Sequence, residues 1–115
     1  MAWGVGCVEG DGLVTLHPGV EVPRAPRAVL GAGTGLGEAF CVWSGDGYVA
    51  WPTEGGHSDL AARDDDEEAL LRTLRARYGH VSYERVVSGA GLVAVYEHLR
   101  ARDPSAESAA VREAL

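Results

Sequence analysis

Three short stretches of this chain combine chemically capable residues with glycines that leave them accessible. The first is Gly31-Ala32-Gly33-Thr34-Gly35-Leu36-Gly37, with glycine at alternate positions. Without side chains, a ligand can come close to the backbone N–H groups, and Thr34 adds a hydroxyl. That combination suits an anion such as a nucleotide phosphate. A plain flexible hairpin would use the same glycines, and spacing alone leaves both readings open. The run does not fit the G-x-G-x-x-G dinucleotide fingerprint, because Leu36 or Glu38 stands where the last glycine belongs. The residues that follow are also strand-like rather than helical.

The second stretch is Glu54-Gly55-Gly56-His57-Ser58-Asp59. Two glycines place a carboxylate and an imidazole on a bent, exposed backbone. The carboxylate accepts from two hydroxyls and the imidazole donates or accepts, so the pair suits a polyol. It offers too few ligands for a metal, and a solvent loop is the plain alternative. The third is Gly79-His80-Val81-Ser82-Tyr83-Glu84-Arg85. Glu84 follows a helix break and precedes Val86 and Val87; pairing with Arg85, or simple exposure, is its plain reading. His17 and His98 have no supporting neighbours and receive no role.

The elements that must position these residues fall into two halves, strand-rich over 1–60 and helix-rich over 61–115. Val14 to Leu16 is a candidate short strand, stopped by His17-Pro18-Gly19. Pro23 and Pro26 make an extended connector. Ala28 to Leu30 reads as a buried strand entering the glycines, and Glu38 to Ser44 as a second strand. After the turn Ser44-Gly45-Asp46-Gly47, Tyr48 to Trp51 returns as a third, ended by Pro52. Asp64 to Glu68 then precede Leu70, Leu71, Leu74 and Tyr78 at helical spacing, with Arg72, Arg75 and Arg77 late and Gly79 as a stop. The acidic run is read as a capped helix start rather than a cation site. Ser82 caps a short turn through Val87. Ser88 and Gly89 open a second helix with Leu92, Val95, Tyr96 and Leu99 on one face. Asp103-Pro104 ends it and starts a third helix, Ser105 to Leu115, whose Val111 and Leu115 need a partner.

Composition narrows the chemistry. The 115 residues make one domain or part of a larger one. A net charge of −7 excludes a broad phosphate footprint for nucleic acid and a polybasic membrane patch. All ten basic residues are arginine. Without lysine there is no P-loop lysine and no Schiff-base nucleophile. Cys7 and Cys41 are too few for a cysteine zinc site and are read as buried free thiols. No apolar run is long enough to cross a bilayer, and no secretory signal precedes Trp3, so a cytoplasmic protein is expected.

Taken together, Val29-Leu30 with the glycine run, Trp51-Pro52-Thr53 with Glu54 to His57, and Gly79 to Leu92 resemble the bacterial glucokinases. The blocks stand in that family's order and spacing across roughly Leu13 to Arg100. The resemblance implies an α/β fold: part of the C-terminal lobe of an actin-like, ribonuclease-H-like sugar kinase, with antiparallel strands and a glycine hairpin followed by three helices. It implies transfer of the ATP γ-phosphate to the 6-hydroxyl of glucose with Mg2+, the first step of glycolysis, in enzymes that are homodimers. By the same resemblance Gly33, Thr34 and Gly35 lie against the ATP phosphates, and Glu54, His57 and Glu84 hold sugar hydroxyls.

The family's Gly-Asp-x-Gly-Gly-Thr phosphate loop is absent, and its Asn-Asp-Phe segment with the base aspartate falls before Met1. Its late Gly-Gly adenosine motif falls beyond Leu115, and Ala90 stands where many members have proline. No catalytic residue or metal ligand is therefore assigned here. The chain is expected to be the middle of a glucokinase that alone binds sugar weakly without phosphorylating it. The alternative is a non-catalytic sugar-binding module on the same fold. The related ROK kinases carry a zinc cysteine cluster after a Glu-x-Gly-His element, and no cysteine follows Cys41.

Overall fold

A computed structural model describes residues 12–114. The early part of the Met1–Leu16 segment and Cys7 lie outside the described residues, as does Leu115. The chain forms two compact units. One holds the described residues up to Gly31 together with Gly37–Gly55; the other holds Ala32–Leu36 and the residues from Gly56 onward.

The first unit is built on a three-stranded sheet in the order β1-β2-β3, with β1 Arg27–Ala32, β2 Leu36–Trp43 and β3 Tyr48–Thr53. β2 and β3 are antiparallel, in a register that sets Phe40 opposite Trp51 and Trp43 opposite Tyr48. The turn between them needs glycine at position 45, where φ is 102°. Trp43 and Tyr48 meet edge to face, and Arg27 lies over the Tyr48 ring. Cys41 is buried and its thiol is free.

Three sequence expectations fail in this unit. Val14 to Leu16 is not a strand, and its apolar side chains are exposed. β1 is not buried; Leu30 is 69% exposed. Pro52 does not end β3. It sits inside the strand opposite Ala39, a position that β3 tolerates because it is an edge strand whose outer side needs no N–H donor.

The second unit is helical. α1 spans Asp65–Tyr78. Asp64 caps it by accepting from Glu67 N–H at 2.8 Å, and the acidic first turn and basic last turn match the helix dipole. The Arg63 guanidinium binds the Glu67 carboxylate, holding its pKa below the usual range. Gly79 closes the helix at φ 76°, its N–H donating to Arg75 O. A 3-10 turn, Tyr83–Arg85, follows Ser82, and α2 spans Gly89–Arg102 with Ser88 accepting from Gly91 N–H at 3.0 Å. Arg77–Glu97 and Asp66–Arg102 ion pairs join the two helices in antiparallel sense. The core is Leu71, Leu74, Val81 and Ala94, with Leu74 only 1% exposed.

Here too the structure corrects the sequence. The buried face of α2 is Gly91 and Ala94, not the face of Leu92 and Leu99, which are 68% and 48% exposed. Small residues win because α2 starts in backbone contact with the preceding turn: a Cβ on Gly91 would lie 2.5 Å from Val86 O. The predicted third helix is broken into a 3-10 turn, Pro104–Ala106, and a short α3, Ala109–Ala114. Asp103 accepts from both the N–H and the hydroxyl of Ser105, which stabilises the tight turn over a continuous helix.

Candidate functional site

The glycine run forms a three-residue turn between β1 and β2, with Gly33 N–H donating to Gly35 O at 2.8 Å. It is not a loose solvent hairpin, because both of its sides are tied down. Gly33 O accepts from Gly89 N–H at 2.8 Å, at the first residue of α2. Leu36 N–H donates to Glu84 Oε2 at 2.9 Å. Among the described residues, the N–H groups of Thr34 and Gly35 meet no protein acceptor, and Thr34 is exposed. Gly35 must lack a side chain, since a Cβ there would fall 2.5 Å from Glu84 Oε2.

Glu84 therefore belongs to the turn and is not paired with Arg85, whose guanidinium lies over the Tyr78 ring instead. Its second oxygen faces His57 Nδ1 at 3.9 Å, too far for a hydrogen bond but close enough for both to grip one ligand. The Glu84 side chain is 30% exposed and that of His57 61%. His57 ends the 3-10 turn Gly55–His57. Gly56, in the middle of that turn, is buried where a Cβ would meet Leu36 O at 2.5 Å. All three sequence motifs thus meet at Leu36, itself in the glycine run: the His57 turn lies against its carbonyl and Glu84 binds its N–H.

The cavity beside this cluster, lined by Thr34, Glu84, Arg85 and Ser88, holds only about 60 Å³. That is room for about two waters, too little for a sugar ring, while the face of His57 and Glu84 is open to solvent. Glu54 follows β3 directly and is exposed, and it belongs to the first unit. Within that unit, Gly55 leaves no room for a Cβ beside the Glu38 carboxylate.

Sequence reasoning gave no role to Asp59 or His80, whose side chains pair at 2.5 Å. Their pairing comes from a single β-bridge, Asp59↔Ser82. One bridge leaves no periodicity in a sequence, so no pattern signalled it. His98 also faces a partner, Thr73 Oγ1, at 3.2 Å, between the two helices.

A family model described as Glucokinase matches residues 1–114. The chain is 44% identical over 110 residues to the glucokinase of Nostoc sp., covering 94% of this chain and 32% of that protein. It is 49% identical over 86 residues to the glucokinase of Pectobacterium atrosepticum, covering 75% and 27%. The chain thus spans about a third of the length of the curated relatives it matches. Among solved structures, it is similar to a glucokinase from an Antarctic psychrotroph, with TM-score 0.67 and 35% identity over 79% of this chain and 28% of that one. It is also similar to the Balamuthia mandrillaris glucokinase in complex with glucose, with TM-score 0.67 and 28% identity over 76% and 26% of the two chains.

Proposed function

We propose, because this chain belongs to the glucokinase family, that it supplies the sugar-gripping and phosphate-cradling part of an ATP-dependent glucose kinase. Its sheet and helices would form part of an actin-like sugar-kinase lobe, strand-rich before residue 60 and helix-rich after it. The observation that carries this reading is the contact between the glycine turn and Glu84, through Leu36 N–H at 2.9 Å. Phosphoryl transfer is mostly positioning and charge stabilisation, and it requires the acceptor hydroxyl beside the phosphate. A turn with open N–H groups and a carboxylate beside an imidazole, in direct contact, answers that requirement.

The roles follow from the donors and acceptors present. Thr34 and Gly35 N–H and the Thr34 hydroxyl bind phosphate oxygens, with Gly33 giving the close approach. His57 and Glu84 hold sugar hydroxyls, and Glu54, three residues before His57 in the chain, is the further carboxylate in that role. Such a site disfavours sugars that lack a hydroxyl, because the polar groups that the sugar covers are then left unpaired. Magnesium would travel with the nucleotide phosphates, as it commonly does. Among the described residues no three His, Cys, Asp or Glu side chains form a metal cage, so no step is assigned to the ion. No side chain of this chain is assigned the proton transfer.

Calorimetric titration with glucose tests the reading. Glu54→Ala and His57→Ala should each weaken binding about ten-fold, as expected for loss of about 1.4 kcal/mol. A parent that binds glucose while both variants bind it equally well would refute the assignment. No helix among the described residues is long and apolar enough to cross a membrane.

A further inference from the structure

We propose that Asp59 and His80 are positioning residues for the sugar grip, forming a clasp that sets the spacing of His57 and Glu84; this rests on the sugar-binding reading above. Residues 58–60 and 81–83 run antiparallel about the Asp59↔Ser82 bridge. Leu60 N–H donates to Val81 O at 3.0 Å, and Tyr83 N–H to Ser58 O at 3.1 Å. His57 and Glu84 stand just beyond this short ladder, each in a 3-10 turn, with Nδ1 and Oε1 3.9 Å apart. His80 is the diagonal neighbour of Asp59 on the other side of the bridge, within reach of a cross-strand pair.

The two partners of the ladder are fastened differently. Val81 is 4% exposed in the helical core, and Leu60 packs against that core, which fixes the depth of the ladder. Along its length the ladder also carries a polar side-chain fastening, His80 Nε2 to Asp59 Oδ1 at 2.5 Å. Both of these side chains are well exposed, at 64% and 87%, so the pair adds little to global stability. Its geometric leverage is larger. A slip at Asp59 moves His57, two residues away, relative to a Glu84 that Leu36 N–H holds in place.

The test uses the full chain with Asp59→Asn, His80→Gln and the charge-retaining Asp59→Glu. In sugar-free protein, the His57 ring resonances should shift in the first two variants and return towards the parent in Asp59→Glu. Thermal midpoints should move by no more than a few degrees. Glucose affinity should fall about five-fold in the first two and recover in Asp59→Glu. Unmoved His57 resonances would overturn the clasp whether or not glucose binds. Loss of the cooperative unfolding transition in the first two variants would also overturn it, by making the pair a fold requirement. If the parent binds no glucose while His57 still responds, the sugar assignment fails and the clasp stands.

Discussion

Replacing Gly91 by alanine tests whether the glycine turn and the start of α2 form one rigid assembly. Gly91 lies in the first turn of the helix, and alanine there is intrinsically favoured by about 1 kcal/mol. The surroundings oppose it: the new methyl carbon would sit 2.5, 2.6 and 2.9 Å from the Val86 O, C and Cα atoms. Those are backbone atoms of the preceding turn, which cannot swing aside as a side-chain tip would. Reaching an ordinary 3.4 Å contact requires α2 to retreat by about 0.9 Å. The retreat would stretch the 2.8 Å Gly89 N–H bond to Gly33 O and the 3.0 Å Ser88 cap. Overpacking of this kind costs about 1–3 kcal/mol. With the clash on backbone and a helix cap strained as well, the upper value applies, and the net loss is about 2 kcal/mol after the helix gain. Gly89→Ala is the control, because its methyl would meet Gly33 O at an unstrained 3.6 Å. Urea titration followed by circular dichroism should show a lower midpoint for Gly91→Ala at unchanged slope, and a near-parental midpoint for Gly89→Ala. Two variants equally stable, or Gly91→Ala more stable than the parent, would mean that α2 does not rest on Val86 as described.

Two further outcomes are expected. Glu84→Ala leaves Leu36 N–H part-buried and unpaired, and should cost about 1–2 kcal/mol in urea titration; Glu84→Gln keeps an acceptor for that N–H and should retain most stability while glucose affinity drops. The Glu107 carboxyl is held below its usual range by the Tyr96 hydroxyl and by Arg112. Its folded pKa is therefore the lower one, so its stabilising contribution is complete above the unfolded value of about 4.3 and is lost as pH falls through the folded value. Acid titration followed by amide exchange should release the Pro104–Ala114 segment as the Glu107 carboxylate takes up its proton, while α1 stays protected.

Much of this architecture was legible from residue types. Asp64 to Glu68, the leucines behind them and Gly79 specified α1 almost to the residue, because cap, dipole and periodicity agree. Ser88 marked the start of α2 for the same reason. The inward face of α2 was misread because a hydrophobicity pattern ranks Leu92 above Gly91, whereas close backbone approach at Val86 selects the smallest residue. Pro52 was misread as a stop because a sequence does not say which strand is an edge. At the site, the glycines announced close approaches, yet their partners were invisible: the neighbours of Gly35 and Gly56 are Glu84 and Leu36, 49 and 20 positions away. The Asp59–His80 pair was hidden for the same reason, since it depends on one non-local bridge.

The short ladder through Asp59 and Ser82 has two faces with different duties. Val81 and Leu60 serve the hydrophobic interior, while His57 and Glu84 are open to solvent. Engineering one therefore disturbs the other. A library that trims or enlarges Val81 to tune heat tolerance would also shift the spacing of His57 and Glu84, so selection on growth temperature alone would reshape that pair without any change to either side chain.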